Sequence, residues 1–384
     1  MSAAILTQRF PFYQTRPQLA LPTLFIVFGV MMGSWAGRIP ALRDALQLSH
    51  TALSMVLLCG GLGAVISYPL TSRLMATFGG RRTTYFSGLA LLAVLLCIGG
   101  ASSMLLLMMA VLALGITASC FDVGVNSVAT KYEKTTGKSE MSKLHGWGCA
   151  GGLVGATLGS VMASLQIPPF LHFLMIAAPV AFLLWMGIQW LDADAPSEKI
   201  ERKTFALPRG PLALLGALGF LCAMSEGSIA DWSGVFLKDH FGVGDGFAPL
   251  ALTAFSVMML IARLGGDRLK ERFTAHSLVR ASASLAAAGL FFAVLAPNAY
   301  WALAGFGIAG LGLALVFPFV FSAAGKEGPV ALAGVATMAY SGSLMGPPVV
   351  GTLAHGLGIQ AAMAFVGGLS VVIAVVASRT AMLK

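Results

Sequence analysis

Charge is what this sequence has least of. Only 10% of its 384 residues are Asp, Glu, Lys or Arg, while 57% are hydrophobic. A typical soluble domain carries about 25% charged residues. One water-soluble core burying so much apolar surface is excluded, because single cores stop growing at roughly 250–300 residues. The bilayer is the natural solvent, and a span needs about 20 mostly apolar residues.

Other absences narrow the chemistry. The five cysteines, Cys59, Cys97, Cys120, Cys149 and Cys222, lie in apolar runs with no CxxC spacing. They read as small buried hydrophobes, not as disulfides or metal ligands. No GxxxxGK[ST] loop is present, so ATP drive is not expected. HExxH and GxSxG are missing too, and His50, His172, His240, His276 and His355 are scattered without metal spacing. Neither an enzyme nor a cofactor is expected. The first eighteen residues, MSAAILTQRFPFYQTRPQ, lack the long apolar core and small-residue cleavage site of a signal peptide. The apolar run from Leu19 reads as a retained span.

The charges that are present are unevenly placed. Of the 24 Lys and Arg residues, 21 fall in one alternating set of breaks between apolar runs. The other set holds only Arg38, Arg43 and Lys238. This asymmetry is the positive-inside pattern, with both termini cytoplasmic. It accounts for the formal charge of +9 without nucleic acid. The expected location is a bacterial inner (plasma) membrane, crossed many times.

The apolar pattern predicts twelve helices, over 19–40, 50–73, 83–101, 104–131, 142–165, 168–190, 211–237, 247–266, 276–296, 299–324, 330–356 and 359–379. The stretch DADAPSEKIERKTFALPR, residues 192–209, is long, polar and central. It marks a cytoplasmic linker, 191–210, between six-helix bundles at 1–190 and 211–384. SRLMATFGGRR (72–82) and GDRLKERF (266–273) echo each other across the two bundles. So do the small-residue stripes Gly151, Gly155, Gly159 and GSLMGPPVVG (342–351). Small residues at that spacing let helices approach closely in lipid. Two related halves point to a transporter with its site between them.

These features together resemble the major facilitator superfamily over nearly the whole chain. The family's loop signature, roughly G-x-L-x-D-R-x-G-R-R, is met here by Ser72, Leu74, Ala76, Gly79, Arg81 and Arg82, with Ser at the glycine position and Ala at the aspartate. The second copy keeps an acid, Glu271, followed by Arg272. The resemblance implies that Arg81, Arg82, Glu271 and Arg272 belong to a cytoplasmic latch. It also implies a central cavity lined mainly by the first, fourth, fifth, seventh, tenth and eleventh helices, and a monomer in membrane lipid. The segments GSWAGRIPALRDALQLS, DVGVNSVA, KLHGWGCAGG, SEGSIADW and MGPPVVG look like YbjJ-type bacterial inner-membrane transporters. The fourth helix is also similar to that of the fucose:proton symporter, where an acid and an asparagine four residues on serve protonation and sugar binding. Asp122 and Asn126 match those positions, His145 falls at a sugar-binding position, and Ala36 departs from an acidic one.

Ionisable groups at membrane depth cost roughly 2.5–3.5 kcal/mol each and persist where they face a cavity or a partner. Asp122 lies about ten residues in from the cytoplasmic end of the fourth helix, or about 15 Å deep. A carboxyl group in a poorly hydrated site can exchange a proton near neutral pH, as coupling requires. Otherwise Asp122 is a structural acid bonded to a neighbouring helix. Glu226 and Asp231 are five residues apart, about 140° around a helix, so they cannot share one narrow face. Glu226, nearer mid-membrane, is the second coupling candidate, or else a polar tie within the second half. Arg38 and Asp231 sit at similar depth in pseudo-symmetric helices. They are expected to pair as an outer gate, unless Arg38 binds an anionic substrate or pairs with Asp44. His145 can contact a substrate hydroxyl or simply end a helix near the headgroups. Trp232, beside Asp231, can stack on a ligand ring.

The expected activity is secondary transport of a small polar solute, sugar-like or an organic acid, by alternating access with protons. The alternative is a multidrug:proton antiporter. That group's helix-five signature, roughly GxxxGPxxGG, is met here by GLVGATLGS (152–160), with Ala156 for the proline and Ser160 for the last glycine.

Overall fold

A computed structural model describes residues 16–137, 140–192, 209–270 and 272–383. The chain is all-helical there. The elements are α1 (Pro17–Ala45), α2 (His50–Gly99), α3 (Met104–Thr136), α4 (Met141–Ser164), α5 (Pro169–Gln189), α6 (Pro211–Phe241), α7 (Leu250–Lys270), α8 (Ala275–Val294), α9 (Ala299–Leu313), α10 (Val316–Lys326), α11 (Pro329–Leu357) and α12 (Ile359–Arg379).

Local chemistry sets the ends. Ser49 caps α2 by accepting from the Ala52 N–H, and Ser103 caps α3 through Leu106 N–H. The Asn298 side chain accepts from Tyr300 and Trp301 N–H at the start of α9. Proline opens α1, α5, α6 and α11, where its missing N–H costs nothing.

The helices follow the expected spans but for one. The second and third spans are the two arms of α2, two helices joined across a kink at Gly79, where φ is 77° and ψ is 172°. Glycine takes that backbone geometry without a Cβ penalty. The tenth span is instead broken into α9 and α10. Pro318 lacks the N–H that would reach back to the Ala314 carbonyl, and the helix breaks there.

Eight helical runs are long and apolar enough to cross a membrane among the described residues, with α9 and α10 taken together as one. Large apolar side chains such as Leu105, Phe86 and Phe182 are exposed on their outer faces. In water such surface would aggregate; in lipid it is the solvated surface.

Packing repeats across the chain. α1 lies on α4 as α6 lies on α11. α2 lies on α3 as α7 lies on α9, and α2 on α5 as α8 on α12. These are two pseudo-symmetric six-span bundles. The glycine stripes carry the first pair of contacts. A Cβ at Gly33 would sit 2.1 Å from the Gly152 carbonyl oxygen, and one at Gly155 2.3 Å from that of Val30. In the second half, a Cβ at Gly342 would meet the Phe220 carbonyl at 2.1 Å. The backbones touch because nothing larger than hydrogen stands between them.

Candidate functional site

The two bundles meet closely at one end, the end read as outer from its few basic residues. There α2 packs on α11 and α4 on α7. A Cβ at Gly351 would collide with Ser54, and one at Gly246 with Ser164. Ser160 Oγ donates to the Gly246 carbonyl. Ion pairs add to the seal. Arg43 Nη1 donates to Asp239 Oδ1 at 2.6 Å, and His50 Nε2 lies 2.7 Å from Asp239 Oδ2. Lys238 reaches both Asp44 and Asp245. None of these acidic partners was singled out as a gate from the sequence; Asp44 was weighed only against Arg38. Asp239 lies 196 positions from Arg43, and no local spacing announces such a pair.

The expected Arg38–Asp231 pair is not formed. Arg38 is 2% exposed, and its guanidinium donates to two carbonyls, Gly159 at 3.4 Å and Ile167 at 2.5 Å. It borders a cavity of about 250 Å³ together with Asp44 and Asp245. α1 and α4 are in backbone contact, so the α4 carbonyls are nearer to Arg38 than any group on α6. Asp231 has no hydrogen bond or ion pair among the described residues. Asp44, the other expected partner of Arg38, is taken by Lys238. Trp232 is fully buried and tilts against the His50 ring at 6.1 Å, so here it offers no face to a solute.

Deeper in the bundle lies a polar cluster. Asn126 Nδ2 donates to Asp122 Oδ1 at 2.9 Å and to the Asp122 carbonyl at 2.8 Å, one turn apart on α3. Tyr68 of α2 and Tyr340 of α11 are close enough for the Asp122 charge to act on their phenols. Both tyrosines are about half exposed, at 51% and 57%. A phenol from each half thus lies in the neighbourhood of the Asp122 carboxylate. His145 is exposed on α4, edge-on to Phe25 at 5.2 Å.

Glu226 has a partner that the sequence did not suggest. Arg263 of α7 places Nη2 3.8 Å from Glu226 Oε1. Its Nε donates to the Ala314 carbonyl at 3.4 Å, the group that Pro318 leaves free. Its Nη1 donates to Cys149 Sγ of α4 at 2.8 Å, across the halves. Arg263 precedes a run of loop cations and counts among them by sequence. The structure instead turns it inward.

At the bend in α2, Arg81 Nε donates to the Ile188 carbonyl at 2.9 Å, and Arg82 is exposed, as is Arg272. Glu271 lies outside the described residues.

The sequence matches the family model described as Major Facilitator Superfamily over residues 20–341. The chain belongs to the Major Facilitator Superfamily. Among its curated relatives is the transporter y4wD of Sinorhizobium fredii, 32% identical over 92% of this chain and 95% of the relative. The membrane protein MosC of Rhizobium meliloti is 30% identical over 91% and 86%. Among solved structures, a point mutant of the nucleoside transporter NupG superposes with a TM-score of 0.76 at 15% identity, covering 96% of this chain and all of that one. A bacterial homologue of the human lysosomal transporter Spinster, in an inward-facing and occupied conformation, also scores 0.76, at 14% identity over 95% and 96%. At such identities the likeness speaks for the fold. A multi-pass membrane transporter, not an enzyme, is what the family describes.

Proposed function

We propose that this facilitator moves a small polar solute by alternating access, driven by protons that bind Asp122 and Glu226. The observation that carries this reading is the Asp122 cluster. A carboxylate bonded to Asn126, with the phenols of Tyr68 and Tyr340 nearby on opposite halves, offers the hydrogen-bond donors and acceptors that suit a polar solute. The halves divide at the linker, 1–190 and 211–384, and both termini are cytoplasmic in an inner membrane. Cross-half ion pairs at the end read as outer support an inward-facing reading. Asn126 and His145 are the solute contacts. Arg38, Asp231 and Trp232 act when the outer end opens, and Arg81, Arg82, Glu271 and Arg272 close the cytoplasmic end.

A thermal-shift panel on the purified chain tests this reading. Sugars, organic acids, nucleosides and lipophilic cations are compared at two pH values, beside Asp122→Asn. A ligand that binds only the folded state raises the melting temperature by mass action. The reading expects stabilisation by a polar solute that depends on pH, with the pH dependence weakened in Asp122→Asn. Stabilisation by lipophilic cations alone would assign the cavity to drug:proton exchange.

A further inference from the structure

We propose that Arg263 anchors a carboxylate on the solute, and that this anion binds together with a proton on Glu226. The inference rests on the polar-solute reading and narrows it to organic acids and sugar acids.

The geometry leaves Arg263 under-used. A guanidinium carries five N–H donors in a planar fork. Here one goes to a thiol, a weak acceptor, and one to the Ala314 carbonyl. Glu226 Oε1, at 3.8 Å, is near enough to pair but too far for a hydrogen bond. The remaining donors meet no acceptor within bonding distance among the described residues. The Arg263 and Glu226 side chains are 23% and 22% exposed, so the pair is not sealed off from a small molecule. A carboxylate on the fork would make two parallel charge-assisted bonds, the arrangement arginine favours. Lysine cannot reproduce it.

Charge decides the order of events. Glu226 and a solute carboxylate cannot both be ionised beside one guanidinium in a partly buried site without strong repulsion. Protonation of Glu226 frees Arg263 for the incoming anion, and the site keeps the same net charge. Besides Arg263, Cys222 touches Glu226 from its own helix, at 3.6 Å. Through Arg263 the cluster extends to Cys149 and His145 of α4. No charged group of α10, α11 or α12 acts on Glu226 among the described residues. Cys149 joins Arg263 to the opposite half, so an anion that takes its place alters a cross-half contact. That ties solute binding to the alternation.

Calorimetric titration of the full chain in nanodiscs tests the proposal. The probes are glucuronate, lactate and succinate, with glucose and uridine as neutral controls and a lipophilic cation. At least one carboxylate should bind, and glucuronate should exceed glucose at least tenfold if sugars enter at all. Wild-type affinity should fall by about tenfold per pH unit as the Glu226 proton becomes scarce. Glu226→Gln should keep carboxylate binding but flatten that pH dependence, which a purely structural residue would not do. Arg263→Gln should weaken carboxylate binding at least tenfold, and Arg263→Lys should recover only part of it. If Arg263→Gln does not fold, the Glu226→Gln and Arg263→Lys titrations still decide. Glucose or uridine binding with no carboxylate binding overturns the anion anchor and leaves the polar-solute transporter standing. Binding of the lipophilic cation alone overturns both.

Discussion

The Asp239 carboxylate, in the last turn of α6, is held by Arg43 of α1 at 2.6 Å and by His50 of α2 at 2.7 Å. One acid on the second half thus ties down two elements of the first. A bond that exists in only one state biases the equilibrium towards that state. Partly exposed ion pairs contribute about 1 kcal/mol or less each.

Asp239→Asn should therefore open the outer end more often, by roughly tenfold in the open-to-closed ratio. The ratio can be followed by alkylation of a cysteine introduced at Ser164, which packs against Gly246 in the closed state. The rate should rise in Asp239→Asn relative to the same cysteine in the otherwise unchanged chain. An unaltered rate would remove Asp239 from the gate.

The glycine contacts between α1 and α4 give a sharper contrast. At Gly33 an added Cβ meets the Gly152 carbonyl at 2.1 Å, and backbone cannot give way as a side chain can. Gly33→Ala should destabilise by about 2 kcal/mol or more, seen as a lower melting temperature in detergent. At Gly146, in the same helix α4 that packs on α1, nothing lies within 4 Å of an added Cβ. Gly146→Ala should melt like the parent. Equal melting of the two variants would mean that α1 and α4 are not in backbone contact.

These stripes show which features a sequence displays. Gly151, Gly155 and Gly159 repeat at helical spacing, so the close approach they permit could be read without coordinates. The charge asymmetry and the apolar runs made the twelve-span architecture equally readable. Asp122 and Asn126 stand one turn apart, and their hydrogen bond follows from that spacing. What could not be read is contact between distant segments. Arg263 looks like one more loop cation until the break at Pro318 exposes the Ala314 carbonyl that holds it. Arg38 lay at the right depth for Asp231. Depth, however, says nothing of which neighbour comes nearest, and the α4 carbonyls do.

Arg38 separates a brace from a ligand. Its guanidinium satisfies two carbonyls in a site with almost no solvent. Hydrogen bonds to charged groups are worth about 1.5–3 kcal/mol each. Arg38→Met should lower the melting temperature by several degrees in the absence of any solute. Unchanged melting combined with weakened solute binding would make Arg38 a solute contact instead.

The most direct test of proton coupling is uptake into proteoliposomes under an imposed pH gradient, using the solute that stabilises the purified chain most. The wild-type chain should accumulate solute when the interior is alkaline, and a protonophore should abolish the accumulation. Asp122→Asn should still exchange labelled for unlabelled solute, with accumulation down at least about tenfold and no response to the gradient. Gradient-driven accumulation by Asp122→Asn at the parent rate, or a wild-type chain indifferent to the gradient, would contradict the account.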